Sequence, residues 1–166
     1  MSAILVRPER FGDEGAIHAL TEAAFADMPF SQGDEQDLVD ALRASGDLAL
    51  SLVATEGDAV VGHIAFSPVT ISDGTREWFD LGPVSVMPKA QRQGIGSALI
   101  RRGIAGLRER GARGIVLLGS PDYYSRFGFE HDPQLSYPGP PPEYFQQLVL
   151  AGPAPRGVVR YARAFG

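Results

Sequence analysis

One stretch constrains this chain more than any other: a predicted strand runs through a short polar loop into a helix. Its sequence is VSVMPKAQRQGIGSAL, residues 84–99. The first amides of a helix have no partner within it, and together with the helix dipole they attract an anion. Gly94 and Gly96 would let phosphate or pyrophosphate approach the backbone closely, and Arg92 adds positive charge. The stretch therefore predicts an anion site built largely from main-chain groups.

Two common nucleotide-binding motifs do not fit this stretch. A Walker loop requires Gly-Lys-Ser/Thr, and no such triplet follows either glycine. A dinucleotide-binding fingerprint requires a third glycine where Leu99 stands and an acidic residue about 20 positions on, where Gly114 stands. Nucleotide binding is therefore the weaker alternative.

The spacing of apolar residues predicts a mixed α/β fold of the α+β type for a single domain over residues 1–166. The expected order is β-α-α-β-β-β-α-β-α-β on one mostly antiparallel mixed sheet flanked by helices, in which helix 94–110 returns the chain for a parallel pairing. Helices are predicted at 12–26, 34–45 and 94–110, with a short helical turn at 121–127. Strands are predicted at 4–7, 50–55, 59–66 (continuing towards Ile71), 78–86, 115–118, 128–131, 145–150 and 157–161.

Composition excludes several classes of protein. The chain has no cysteine, which removes disulfides, cysteine–metal sites and a thiol nucleophile. It has no apolar run of about 18 residues and no signal-peptide pattern at its N-terminus, so we expect a cytoplasmic protein without a membrane partner. Three separated histidines give no basis for a metal site.

Charge is distributed unevenly along the chain. Residues 1–80 carry a formal charge of −11 and residues 81–166 carry +6, although the whole chain carries only −5. Such a bias is compatible with a solvated surface, and equally with a half that holds an anion and a half that attracts a cation. Nucleic-acid binding is not expected, because the net charge is negative and the basic residues form no dense, aromatic-laced run.

The complete frame V-x-V-x-P-x-x-Q-R-x-G-x-G-x-x-L closely resembles the acyl-CoA signature of the GCN5-related N-acetyltransferase (GNAT) superfamily. Tyr124, followed four residues later by Gly128-Phe129, is similar to a second feature of that family. The resemblance is strongest over residues 3–131 and suggests a small bacterial-type branch; residues 132–166 form a variable C-terminal extension with closing strands. One departure is Leu117, where many members have asparagine.

The resemblance implies acetyl-CoA as cosubstrate and no metal. The strand backbone would hold the pantetheine arm and the acetyl group, and the loop amides the pyrophosphate. The residues it assigns to the donor are Val84, Ser85, Val86, Gln91, Arg92, Gln93, Gly94, Ile95, Gly96, Ser97, Ser120 and Tyr124. The implied activity is an N-acyltransferase that acts by direct attack of a primary amine in a ternary complex. The alternative is a non-catalytic GNAT-fold module that binds acyl-CoA as a sensor or partner domain.

Two residues are candidates for the proton transfers. Tyr124 would protonate the departing thiolate, although a tyrosine before an aromatic pair also packs structurally. Asp80 would accept the proton of the amine; the alternative is a solvated carboxylate at a strand end. Alternation along the strand predicts Asp80 on the same face as Val84 and Val86, unless a bulge intervenes.

The acceptor is expected to be a small-molecule or peptide amine, and a homodimer is one open alternative for assembly. Candidate residues for binding the amine are Glu35, His63 and Phe79. His63 in an apolar strand is more often a core residue, and Glu35 and Asp37 also suit the start of a helix. Further aromatic residues could line the acceptor groove or only pack: Trp78, Tyr137 and Tyr144.

Overall fold

The computed structural model describes residues 3–166. The helices are α1 (Glu14–Phe25), α2 (Glu35–Ser45), α3 (Ile95–Glu109) and the short α4 (Pro121–Tyr124). The strands are β1 (Ile4–Pro8), β2 (Leu50–Glu56), β3 (Ala59–Pro68), β4 (Thr70–Ile71), β5 (Trp78–Val86), β6 (Gly114–Leu118), β7 (Leu135–Ser136), β8 (Phe145–Val149) and β9 (Gly157–Arg160). No helix in this part of the chain is long and apolar enough to cross a membrane.

Six strands form the main sheet in the order β1-β2-β3-β5-β6-β8. All neighbouring pairs are antiparallel except β5 and β6, which are parallel because α3 carries the chain back between them. The apolar face of α3 packs on one side of the sheet, where Ile64, Phe66 and Leu99 are fully buried. Helices α1 and α2 cover the opposite side. The predicted mostly antiparallel mixed sheet with flanking helices and the parallel pairing after α3 are confirmed.

The pairing of β5 with β6 is very short. The strands pair only at Trp78–Gly114, Phe79–Ile115 and Asp80–Val116, whereas β5 continues to Val86. Beyond Asp80 the two strands diverge, and β6 pairs only with β8 on its other edge. The sheet therefore contains a fork, with Asp80 at its apex and one edge of residues 81–86 left without a partner strand.

A second, three-stranded sheet lies beside the main one, in the order β4-β9-β7. Its core contains Ile71, Leu135 and Val159, packed together with Trp78 and Phe145 of the main sheet. The prediction of one sheet is therefore wrong: β8 joins the main sheet, but β9 pairs with Thr70–Ile71, which had been predicted to continue β3. Such partners are distant along the chain, so local periodicity does not reveal them.

The predicted strand at 128–131 is also wrong. Only Glu130 makes a bridge, to Gln147, and the surrounding residues form no ladder. Gly128 adopts a left-handed conformation (φ 97°) that ends the preceding helical turn. The proline-rich segment 133–142 contains the two residues of β7.

Candidate active site

The loop between β5 and α3 leaves six consecutive amides without a hydrogen-bond acceptor. Within residues 3–166, the amides of residues 92–97 donate to no protein group, and the first bond at the start of α3 runs from Ala98 N to Gly94 O (3.0 Å). Arg92 (φ 65°) and Gly94 (φ 82°) both adopt left-handed conformations. Successive amides in such a turn form a concave anion site, and the N-terminus of α3 reinforces it.

The side chains around this loop leave it open. Residues 91–94 are exposed, Gly96 and Ser97 are partly exposed, and Ile95 is buried in the core under α3. The Gln91 side chain donates from Nε2 to the Val86 carbonyl (3.0 Å) and so ties the loop to the end of β5. The structure therefore brings the predicted loop residues together around one set of free amides.

The open edge of β5 presents further donors. Met87 N donates to Val61 O (2.9 Å) on the β3 side, so alternation along the strand directs the amides of Val84 and Val86 towards the fork. The side chain of Ser85 is buried, and its hydroxyl has no hydrogen-bond partner among residues 3–166. The same alternation turns the main-chain N–H and C=O of Ser85 towards β3, so Ser85 offers no hydrogen-bonding group to the fork.

Asp80 is buried at the apex of the fork, with 3% of its surface exposed. The alternative of a solvated carboxylate is therefore wrong. Burial raises the pKa of Asp80 to about 8, and the Tyr161 hydroxyl opposes that rise. A carboxyl group with a pKa near neutrality can exchange a proton with a substrate under ordinary conditions.

A β-bulge changes the face on which Asp80 lies. Ile64 pairs with Val84 but Phe66 pairs with Leu81, so β5 contains one residue more than β3 over this interval. Leu81 and Val84 therefore share a face, and Asp80 lies on the opposite one. The alternation that placed Asp80 with Val84 and Val86 does not hold, and Asp80 points to the side covered by α1, α2 and the C-terminal segment.

Tyr124 lies at the end of α4, directly after β6. Its ring packs so closely on Gly119 that a Cβ at that position would clash with it. Burial, Tyr123 and Asp80 raise the pKa of Tyr124 to about 12, so its hydroxyl keeps its proton at neutral pH. Tyr124 and Asp80 line the same cavity, so the two candidate proton-transfer groups lie near each other.

A cavity of about 500 Å³ opens over these two residues. It is lined by Asp80, Tyr124, Glu35 and Val84, together with Phe25, Met28, Leu38, Leu81, Gly82, Pro83, Leu118, Tyr137, Tyr161 and Phe165. A neighbouring cavity of about 440 Å³ is lined by Phe30, Leu118, Gly119, Ser120, Pro140 and Tyr144. Glu35 and Tyr137 thus border the same groove as Asp80, whereas Ser120 and Tyr144 line the second cavity.

Two candidate residues for binding the amine, Phe79 and His63, lie outside the groove, and Trp78, for which lining and packing were both open, packs in the core. Phe79 packs into the core under α3, and Trp78 is buried where a Cβ on Gly114 would clash with its ring. His63 is fully buried beneath the helices of the opposite face, where its Nε2 lies 2.8 Å from the Ser51 hydroxyl. Ser51 in turn donates to Glu9, and burial lowers the pKa of His63 to about 4, so the imidazole is neutral.

Asp37 also lies outside the groove. Ligand atoms of His18, Asp37 and Asp40 lie within 4.8 Å of one another on α1 and α2, a grouping that the sequence analysis did not anticipate. His18 Nδ1 is 2.7 Å from Asp40 Oδ2, and Arg43 contacts the other carboxylate oxygen at 3.3 Å. These contacts occupy Asp40 within a network of side chains on the helix surface.

Sequence reasoning missed most of the apolar lining of the groove, including Tyr161 and Phe165. Both belong to the C-terminal segment, and no local motif marks them. Their position depends on the pairing of β9 with β4 and β7, which brings distant parts of the chain together.

Comparison with known proteins gives a consistent result. A family described as acetyltransferase (GNAT) domain matches residues 6–131. The N-acetyltransferase YhbS of Escherichia coli K12 is 38% identical over 160 residues, covering 93% of this chain and 92% of that protein.

Two solved structures are similar over almost the whole chain. A GNAT family acetyltransferase from Brucella melitensis, in complex with acetyl-CoA, has 47% identity, a TM-score of 0.89 and full coverage of both chains. YhbS from Escherichia coli, in complex with CoA, has 35% identity and a TM-score of 0.90, with 99% of this chain and 93% of that chain covered. The predicted resemblance and the predicted mixed α/β fold are confirmed.

The buried Asp80 should make stability fall as the pH rises. Its pKa is about 8 in the folded protein against an ordinary 3.8, so the folded state holds a proton that the unfolded chain releases. His63 acts in the opposite direction, but only between about 4 and 6.5. Between pH 6.5 and 8 the free energy of unfolding should therefore fall by roughly 2 kcal/mol in the wild type and stay nearly constant in Asp80→Asn.

Urea unfolding of both proteins across that pH range checks this expectation. The two proteins should have similar stability near pH 6.5, because asparagine resembles the protonated carboxyl. A wild-type profile as flat as that of Asp80→Asn would show that the carboxyl is already ionised in the folded protein.

Proposed function

The chain belongs to the GNAT acetyltransferase family, and from that premise we propose that it transfers an acetyl group from acetyl-CoA to a primary amine by direct attack in a ternary complex. The observation that carries the proposal is the fork in the sheet. It places free β5 amides, a buried carboxyl and a protonated phenol around one opening. The acceptor is a small-molecule or peptide amine.

The free amides of residues 92–97 are suited to the pyrophosphate of the donor, because they combine unpaired donors with the positive end of α3. The amides of Val84 and Val86 would bind the pantetheine arm and the thioester carbonyl along the open edge of β5. The donor supplies an activated acetyl thioester. An amide aimed at the carbonyl oxygen stabilises the negative charge that develops there during attack.

Charge supports the same placement of the donor. In residues 3–166, every ion pair joins residues of the first half of the chain, such as Arg7–Asp13 and Arg43–Glu9. The basic residues of the second half, among them Lys89, Arg92 and the arginines of α3, form no ion pair within that part of the chain. Their positive charge is therefore free to attract a polyanionic donor.

Two side chains would handle the protons. Asp80 accepts a proton from the ammonium group and so frees the lone pair that forms the new C–N bond. Tyr124 donates its hydroxyl proton to the sulfur as the C–S bond breaks, and it recovers a proton when the amide product loses its own. No covalent enzyme intermediate is needed, in agreement with the absence of cysteine.

Gly96→Val should abolish stabilisation by acetyl-CoA. A Cβ at Gly96 meets only ordinary contacts, 3.8 Å to Val86 Cγ2 and 3.9 Å to the Tyr123 hydroxyl, so the fold tolerates a side chain there. The valine would, however, occupy the space above the free amides. Acetyl-CoA should raise the melting temperature of the wild type by several degrees and that of Gly96→Val hardly at all.

Ala105→Val is the matched control, since Ala105 is exposed on the same helix away from its N-terminus. Gly94 is a poorer target, because its φ of 82° strains any other residue. Equal shifts in wild type and Gly96→Val would remove the loop from the donor site. A shift with ATP but none with acetyl-CoA would favour a nucleotide-binding protein.

Tyr124→Phe should lower turnover by roughly 10- to 1000-fold, the usual contribution of general acid catalysis. The ring and its packing on Gly119 remain, so affinity for CoA should be nearly unchanged. The measurement is release of free thiol with a panel of amines, under conditions where chemistry limits the rate. Tyr144→Phe, in the neighbouring cavity, is the control.

Turnover of Tyr124→Phe at the wild-type rate would assign the proton to water or another group. Binding of CoA without thiol release for any amine would instead favour the non-catalytic module. In that case the wild type would show no turnover, and Tyr124→Phe could not lower it.

Asp80→Asn should remove an ionisation from the pH profile. With Asp80 as base, kcat/KM of the free enzyme should rise with pH through about 8. The amine's own ionisation produces a similar rise, so two acceptors of different basicity must be compared. The rise in kcat/KM that is caused by Asp80 keeps the same midpoint pH when the acceptor changes. Asp80→Asn should remove that rise. A uniform loss of rate at every pH would mean that the carboxyl only positions the amine.

A further inference from the structure

The acceptor groove has one wall that lies outside the family domain. The match to the family ends at residue 131, and four aromatic rings beyond it pack in an unbroken series, the C-terminal aromatic stack, in which the last contact is edge-on. Tyr137 stacks on Tyr161 with 4.4 Å between ring centroids and on Phe145 at 5.8 Å, and Tyr161 meets Phe165 at 5.1 Å. Three of these rings line the groove above Asp80: Tyr137, Tyr161 and Phe165.

The opposite wall is also apolar. It consists of Phe25 and Met28 from the end of α1 and the turn after it, and Leu38 from α2. The C-terminal turn at Arg163–Phe165 packs against α2, so the two walls meet. A ligand between two apolar walls binds most favourably if it is itself apolar, because polar groups placed there would lose their hydrogen bonds to water.

The groove contains few acidic or basic side chains, and those present are carboxyl groups. Among the described residues that line it, the acids are Glu35 and the buried Asp80, and none is lysine, arginine or histidine. Glu35 is held in place by the Ser31 hydroxyl, which donates to Oε1 (2.6 Å). The groove therefore offers carboxyl groups to an ammonium group and aromatic surface to the rest of the ligand.

From this arrangement we infer that the acceptor is a primary amine on an apolar aromatic body, with its nitrogen at Asp80 and its body between the C-terminal aromatic stack and α2. The inference rests on the proposed function and specifies its substrate class. The cavity of about 500 Å³ has the size of a small-molecule site. The body of the amine is recognised by the segment that the family domain does not contain, and its nitrogen by the shared fork.

The test compares 2-phenylethylamine with n-butylamine, spermidine and a lysine-containing peptide, by thiol release in the presence of acetyl-CoA. We expect kcat/KM to be highest for 2-phenylethylamine. Phe165→Ala should lower it by roughly 10- to 100-fold for this amine, as expected for loss of one buried aromatic contact, and by less than about threefold for n-butylamine.

Two further variants guard against a trivial result. Met28→Ala removes a side chain from the opposite wall, at a position that is 43% exposed and so of little weight in folding. It should also lower the rate selectively for the aromatic amine. Phe11→Ala, on a fully exposed ring outside the groove, should change nothing. Each variant should keep the acetyl-CoA thermal shift of the wild type.

The outcomes separate this inference from the proposed function. If acetyl-CoA gives no thermal shift and no amine releases thiol, the proposed function fails. If the enzyme is active but prefers spermidine, n-butylamine or the peptide, or if Phe165→Ala and Met28→Ala affect all amines equally, the function stands and the inference is wrong. An enzyme that shows the acetyl-CoA shift but neither turns over nor binds 2-phenylethylamine, measured by calorimetry on the CoA complex, also overturns it.

Discussion

The whole site depends on where two parallel strands stop pairing. If β5 and β6 stayed paired to the end of β5, the amides of Val84 and Val86 would donate hydrogen bonds to β6. Their pairing ends instead after Asp80 and Val116, and the strands diverge. Backbone donors normally have partners, and at this open edge only water or a ligand can supply them. In the proposed function, the fork provides both the opening and the hydrogen-bond donors for the thioester.

The parts of this structure that the sequence could predict are the local ones. The apolar period identified α1, α2 and α3 within about two residues of their observed ends, and the glycines at 94 and 96 located the free amides. The bulge in β5 could not be predicted from the sequence, because it depends on the register between β3 and β5. That single extra residue moved Asp80 to the other face of the sheet. The aromatic wall was beyond reach too, since Tyr161 reaches the groove only through the pairing of β9 with β4.

Two titratable residues on neighbouring strands, His63 and Asp80, differ in whether they can exchange a proton with a ligand. His63 and Asp80 are both enclosed, and burial favours the neutral form of each. For His63 this means a pKa of about 4 and a neutral ring hydrogen-bonded to Ser51, outside the lining of the groove. For Asp80 it means a pKa of about 8 beside an open cavity, where a proton can be exchanged with a ligand. Access therefore distinguishes them more than the degree of burial does.

The acidic helices of the first half of the chain and the basic loop and α3 of the second half lie on different sides of the fork. The acidic first half supplies α1 and α2, whose residues, Glu35 among them, form one wall of the groove. Two arginines of this half, Arg7 and Arg43, are paired with carboxylates. The basic second half supplies the loop and α3, whose positive charges form no ion pair within residues 3–166. Because β5 lies between these halves, an anionic donor and a cationic acceptor would be drawn to opposite sides of the same strand. In the proposed function they meet at the apex, where the ionised Asp80 carboxylate would accept a proton from the ammonium group before attack.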